Sequence, residues 1–335
     1  MTKANSTIES KETDISDLSL VICYNNEEQN IAKCLPSIIN QSINDIVLID
    51  DNSTDNTYQI LKENINPSIS VFKNTTSSKG KKDALNLGVK KAKNNKILLT
   101  DADCIPASDQ WATTMNKSGK NFVLGYAPMT KSKNLIGVFS QYETYLTAIQ
   151  YLSYAKAGIP YMGVGRNMLV DKKIINQGVA LIKGEKLMSG DDDLMINALS
   201  NKNNTTICID PKTFVYSTPK TTFIDFIAQK ARHMTTSVYY QPLHQILLGT
   251  FSFSQIMFYL IGMIGLMMGT ISVSFFIIAI AIKWGVQQII NFSIMKKLNE
   301  SDLFWKFPLL DIFLAIYYTI MPFYILFRKN KNTWN

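Results

Sequence analysis

Between Gln245 and Ile282 the chain runs for 38 residues without one charged side chain. A helix needs about 20 apolar residues to cross a bilayer, so this run holds two spans of roughly 19 residues each. Phe307 to Phe327 carries a single charge, Asp311, and is long enough for a third. The spacing predicts about three transmembrane helices over residues 246–328, with Asp311 near the membrane interface. The mean hydropathy of +0.02 hides this anchor, because the first two-thirds of the chain is polar.

The remainder of the chain, residues 17–220, can hold one sizeable domain. Met1 to Ser16 is rich in Thr, Ser, Glu and Lys and is expected to be a disordered tail. It lacks a basic start followed by an apolar core, so no signal peptide is expected, and the polar domain is expected to stay in the cytoplasm. Cys23, Cys34, Cys104 and Cys208 have no C-x-x-C spacing, which points to neither a zinc site nor a disulfide framework. The net charge of +8 comes mostly from lysine and suits anionic lipid headgroups better than nucleic acid, for which no recognition signature is present. Arginine occurs only as Arg166, Arg232 and Arg328, and in a lysine-using chain it marks places where a planar fork matters. Topology does not close neatly. The positive-inside tendency keeps Lys296, Lys297 and Lys306 on the cytoplasmic side, yet three spans then carry Arg328, Lys329 and Lys331 outside.

Apolar runs at Leu18–Cys23, Asp45–Ile49, Ile69–Phe72 and Lys96–Leu99 alternate with helical patterns, the third of them over Lys79–Lys93. Such β-α-β-α-β-α-β order predicts a parallel sheet with crossover helices. Polar motifs follow each strand: Asn25-Asn26-Glu27-Glu28 after the first, and Asp50-Asp51-Asn52-Ser53-Thr54-Asp55 after the second, where Ser53 or Thr54 can cap the next helix. The fourth strand ends at Thr100 and delivers Asp101 and Asp103. Ligands of open α/β sheets bind beyond the carboxyl ends of the strands. Two hard oxygen ligands there suit Mg²⁺ or Mn²⁺ on a diphosphate, although a solvated acidic turn gives the same pattern.

Farther on, Asn121–Met129 reads as a strand and Ile136–Ala155 as a helix. Gly163-Val164-Gly165-Arg166-Asn167 lacks the third glycine of a dinucleotide fingerprint; it reads equally as a backbone approach to a ligand or as a β-bulge. Asp191-Asp192-Asp193 opens a helix, and three adjacent carboxylates repel unless a cation or proton relieves them. Phe223–Tyr240 has the pattern of an amphipathic helix at a membrane surface.

In this order the motifs resemble the family 2 glycosyltransferases, specifically membrane-attached inverting enzymes with a GT-A catalytic domain, a Rossmann-like mixed α/β sheet. The resemblance runs from Leu18 to Tyr240. It rests on Asn26-Glu27-Glu28, Asp50 to Asp55, Gly80-Lys81 with Ala84-Leu85-Asn86, and Asp101-Ala102-Asp103-Cys104. It continues through Gly165-Arg166-Asn167, Gly190-Asp191-Asp192 and Gln229-Lys230-Ala231-Arg232-His233.

The resemblance implies a UDP-sugar donor and a divalent metal cofactor. Asp51 would accept from the nucleobase, Asp101 and Asp103 would bind metal and donor, and Asp192 would be the general base, with Asp191 keeping its proton affinity up. Gln229 and Arg232 match the Q-x-x-R-W motif, with Arg232 suited to diphosphate oxygens. Lys81, Glu27 and Arg166 are grouped with the donor-binding residues through their motifs. His233 departs from the family tryptophan and Asp191 from the common glutamate. The expected function is sugar transfer to a lipid or lipid-linked acceptor at the cytoplasmic membrane face. The competing readings are a processive polysaccharide synthase, for whose channel three spans are few, and a non-catalytic nucleotide-sugar-binding membrane protein.

Overall fold

The computed structural model of the protein describes residues 17–75, 80–182 and 191–327; the expected N-terminal tail, Ser189, Gly190 and Arg328 to Lys331 fall outside them. The chain begins with β1 (Leu18–Tyr24), α1 (Glu28–Ile39), β2 (Ile46–Asp50), α2 (Thr57–Glu63), β3 (Ile69–Lys73), α3 (Lys81–Lys91) and β4 (Lys96–Leu99). Every residue of β2 and all but Cys23 of β1 is buried. Strands covered on both faces by crossover helices need such continuous apolar runs. β1 pairs in parallel with β2 through Val21 and Val47 and with β4 through Leu20 and Leu98.

Because successive side chains alternate across a sheet, these strands feed two cores. Val21, Val47, Ile49 and Leu99 face α3, where a Cβ on Gly88 would lie 2.4 Å from Val21 Cγ1. Leu20, Ile22, Leu48 and Leu98 face the other layer with Ile31, Leu35 and Ile38 of α1.

The second half supplies β5 (Ile105–Pro106), α4 (Trp111–Asn116), β6 (Phe122–Gly125), α5 (Leu135–Lys156), β7 (Met168–Asp171), α6 (Lys172–Ile182), α7 (Asp191–Leu199), β8 (Thr205–Cys208) and β9 (Val215–Tyr216). The seven-stranded sheet has the order β3-β2-β1-β4-β7-β6-β8, and β5 pairs with β9 in a small ribbon. β7 runs antiparallel to both neighbours, so the sheet is mixed. The strand expected over Asn121–Met129 ends at Gly125; the chain then continues irregularly to a single bridge between Met129 and Ser217. Neither Ser53 nor Thr54 caps α2, whose N-cap is Asn56. Instead the Asn26 N–H donates to Ser53 Oγ (3.0 Å) and the Thr54 N–H to Asn26 Oδ1 (2.8 Å), tying the loops after β1 and β2 together.

The expected amphipathic segment is α8 (Phe223–Met234), followed by a 3₁₀ turn and then α9 (Pro242–Met267), α10 (Val273–Lys297) and α11 (Phe307–Phe327). The last three elements are long and apolar enough to cross a membrane. Their bounds correct the sequence reading: the second helix does not stop near Ile282 but continues to Lys297. Its extra turns carry Lys283, which forms an ion pair with Asp311 of α11. Asp311 is 1% exposed and also accepts from Tyr259 Oη (2.5 Å) and Trp284 Nε1 (3.1 Å). Through these contacts it ties α9, α10 and α11 together. Buried charges of apolar helices are tolerated when paired in this way.

α11 also lies against the sheet domain, with Tyr317 edge-on to Phe139 of α5 (5.7 Å between centroids) and tilted over Phe226 of α8 (5.7 Å). Glu300, between α10 and α11, is 2% exposed and accepts from Tyr126 Oη and Gln141 Nε2, both at 2.6 Å. Burial, only partly offset by these two bonds, pushes its pKa up to about 7 from 4.5. A carboxyl whose folded pKa is raised favours the fold below its unfolded value, and that advantage is lost as pH rises through the folded one. Thermal stability is therefore expected to fall between pH 4.5 and 7, by no more than about 3 kcal/mol from this group. Glu300→Gln should flatten the profile in that window, as read by melting temperature across a pH series.

Candidate active site

A cavity of about 1020 Å³ opens where β1 and β4 end. Cys23, Asn25 to Glu27 and Asp101 to Asp103 form one side, Gly163 to Arg166 the next, and Asp192 and Asp193 of α7 another. Both early acidic motifs reach one rim because parallel strands present all their C-terminal loops on the same edge.

Asp101 forms an ion pair with Lys81, which starts α3. Burial opposes the Lys81 charge, but Asp101 and Asp192 outweigh it and hold the ammonium above the usual lysine range. Lys81 lines the cavity with 42% of its side chain exposed. Glu27 accepts from Asn30 Nδ2 (2.6 Å); burial raises its pKa, and Asp103 and Asp101 add to the rise. Cys23, on the cavity wall, is held protonated, its pKa pushed by burial up to about 12.

Asp192 is the carboxylate the rest of the rim faces. Burial raises its pKa, Lys81 pulls it back, Asp101 raises it, and a hydrogen bond from the Gly165 backbone lowers it. A Cβ on Gly165 would lie 1.9 Å from Asp192 Oδ2. The glycine pair is therefore a close approach of backbone to α7, not a bulge, and Gly163 repeats it with Ile196 Cδ1 at 2.4 Å. Arg166 lines the cavity and donates to Ser217 Oγ and to the Ala127 carbonyl (3.2 Å). Asn167 is structural: its Oδ1 accepts from Trp111 Nε1 (2.9 Å), and its Nδ2 donates to the Tyr126 and Thr213 carbonyls (2.7 Å each). Gln229 and Arg232 of α8 line the same cavity.

Asp51 does not. It is buried behind the rim, where its Oδ1 accepts from Asn74 Nδ2 (2.7 Å) and its carbonyl accepts from Asn25 Nδ2 (2.7 Å). Asn25 and Asn26 form the wall in front of it. The side chains of Asp191 and His233 lie outside the described residues. Among the described residues, Asp101 adds to the rise of the Asp192 pKa. Sequence reasoning missed Asp193, whose Oδ2 accepts from Tyr240 Oη (3.1 Å). Burial, then Asp192, raises its pKa to about 7. Tyr240, read from the sequence only as part of an amphipathic helix, and Lys230, named there only within the Gln229–His233 motif, also line the site.

Among the described residues, Asp101, Asp103 and Cys104 bring one ligand atom each within 4.8 Å of one another. Cys104 is buried and kept protonated, its pKa raised first by burial and then by Asp103. That leaves two carboxylates open towards the cavity, a hard oxygen pair that fits Mg²⁺ or Mn²⁺ rather than a thiophilic ion.

The chain is similar to several known proteins. Residues 19–162 match Glycosyl transferase family 2, and residues 112–287 match Glycosyl transferase family group 2. The poly-beta-1,6-N-acetyl-D-glucosamine synthase of Staphylococcus aureus (strain COL) is 26% identical over 152 residues. That match takes in 40% of this chain and 37% of the synthase, so the chain aligns with little more than a third of that relative's length. Among solved structures, S. aureus TarS 1–349 in complex with UDP is similar at TM-score 0.46 and 18% identity, over 94% of this chain and 93% of that one. GalNAc-T7 with UDP, GalNAc and Mn²⁺ is similar at TM-score 0.43 and 16% identity, over 61% and 43%. The chain belongs to the family 2 glycosyltransferases, with a mixed α/β sheet domain followed by three helices long and apolar enough to cross a membrane.

Proposed function

We propose that the protein transfers a sugar, with inversion, from a UDP-sugar to a hydroxyl of a lipid or lipid-linked acceptor at the cytoplasmic face of the cell membrane. The observation that carries this reading is the single cavity whose walls come both from the acidic rim of the sheet and from Leu248, Ser252 and Tyr318 of the apolar helices. An acceptor held by those helices would meet the donor without leaving the bilayer. A processive synthase is less favoured, because three apolar helices are few for a polymer channel. A donor-binding protein without activity is less favoured because Asp101, Asp103 and Asp192 are all retained at one rim.

In this reading Asn25, Asn26 and Glu27 line the donor side, with Asp51 bracing Asn25 from behind rather than reaching the nucleobase itself. Lys81, Arg166 and Arg232 bring positive charge to the diphosphate. Asp101 and Asp103 would hold the divalent cation, which neutralises charge on the departing diphosphate. Asp192 takes the proton from the acceptor hydroxyl as its oxygen bonds to the anomeric carbon and the bond to the diphosphate breaks. Its raised pKa makes it a better base than an exposed aspartate.

Three outcomes are expected. Chelation should abolish transfer from radiolabelled UDP-sugar to membrane lipids, Mg²⁺ or Mn²⁺ should restore it, and Asp103→Asn should resist restoration. Asp192→Asn should lower kcat by roughly 10²–10⁴-fold. The wild-type rate should fall as pH drops through a value above the usual carboxylate range, since the base must be ionised to accept a proton; unchanged turnover in Asp192→Asn removes the assignment. Gly165→Ala, which would push the carboxylate aside, should cost roughly 100-fold in kcat while leaving UDP affinity, measured by calorimetry, near wild type.

A further inference from the structure

The cavity, at about 1020 Å³, is at the top of the roughly 300–1,000 Å³ range of single-ligand sites, which leaves room for a second ligand beside the donor. One wall is built by α5 and α8, and apart from Arg232 its residues have no part in the donor chemistry above. Glu143, Thr144, Thr147 and Gln150 all line it from α5. Their i, i+1, i+4, i+7 spacing makes one polar face on a helix otherwise packed with aromatics. Lys230 of α8 forms an ion pair with Glu143, and both side chains are largely buried.

Two polar atoms on this wall lack partners among the described residues: Thr144 Oγ1, on a residue only 8% exposed, and Gln229 Oε1. Buried polar atoms are nearly always hydrogen-bonded, so orphans lining a cavity point to a ligand that completes them. The ligand's charge follows from the pairing on this wall: Glu143 already matches Lys230, and Arg232 of α8 goes to the donor diphosphate in the reading above, so among the described residues the wall offers no further cation for a phosphate. Leu248, Tyr317 and Tyr318 line the same cavity and add an apolar and aromatic surface continuous with the membrane helices. Hydroxyl and amide groups together with aromatic rings are what a sugar needs, since it offers hydroxyls at its edge and C–H groups on its faces. A bare lipid alcohol would leave Thr144 and Gln229 unpartnered, and sites built to hydrogen-bond a hydroxyl discriminate strongly against its absence.

We infer that the α5–α8 wall is a subsite for an uncharged sugar already carried by the lipid acceptor, so that the enzyme extends a glycolipid instead of glycosylating a bare lipid alcohol. This rests on the lipid-acceptor reading above and names its substrate class. Full-length protein in nanodiscs is given radiolabelled UDP-sugar with a lipid extract of native membranes, or with dioleoylglycerol as the sugar-free probe. Mass spectrometry of the labelled product should find the new sugar attached to another sugar, and dioleoylglycerol should be a poor acceptor. Thr144→Val, which removes a hydroxyl at nearly constant volume, should raise the acceptor KM by about fivefold, with kcat and the KM for UDP-sugar little changed; a packing defect would move all three. A labelled sugar bonded directly to the lipid alcohol, or an unchanged acceptor KM in Thr144→Val, overturns the subsite while leaving lipid glycosylation standing. Bound UDP with no transfer to any lipid overturns the lipid-acceptor reading and the subsite together.

Discussion

Gathering carboxylates on one rim is electrostatically costly, and the Lys81 ammonium is what makes the arrangement tenable in this structure. It pairs with Asp101 and lowers the pKa of Asp192, while Asp101 raises Asp192 and, with Asp103, raises Glu27. Like charges at these separations raise one another's pKa unless a cation intervenes. Lys81 begins α3, so its position follows from the packing of α3 onto β1, where Gly88 allows the helix to come close. A substitution in that contact would reach the site through the lysine.

Asp192 is held by a different device. Gly165 lets backbone approach Asp192 from one side, and on the next residue Asp193 accepts from Tyr240, just before α9. One turn on, Asn197 accepts from the Gln241 N–H (2.8 Å) and lies 3.1 Å from His244 Nδ1. The helix bearing Asp192 is therefore docked onto the start of the first apolar helix. Glu300 makes the corresponding tie from the α10–α11 connection to Tyr126 and Gln141. Sheet domain and apolar helices are joined by buried polar contacts, which demand specific geometry where apolar contact alone would tolerate sliding.

Much of this was legible in the sequence, for reasons that can be traced. The strands of the first half are short continuous apolar runs bounded by polar turns, and their order with intervening helical patterns sufficed for a parallel block. The D-x-D turn, Lys81 and Asp192 were identifiable because each lies in a local motif. The antiparallel insertion of β7 was not, since Met168–Asp171 has no local mark of strand direction. The capping of α2 by Ser53 or Thr54 failed because both side chains bond instead to Asn26, a residue 27 and 28 positions away.

By itself the sequence determined the class of chain: an α/β sheet with acidic loops at its carboxyl edge, followed by apolar helices that water would not tolerate unaided. Only the tertiary structure decided which side chains share a cavity. It drew Asp51 behind the rim and brought Glu143, Lys230 and Tyr318 onto its wall. It also turned Lys283 and Asp311, separated by 28 positions, into a pair. The reason is that hydropathy and motif spacing act over a turn or a strand, whereas burial and charge pairing depend on which distant surfaces come to face each other.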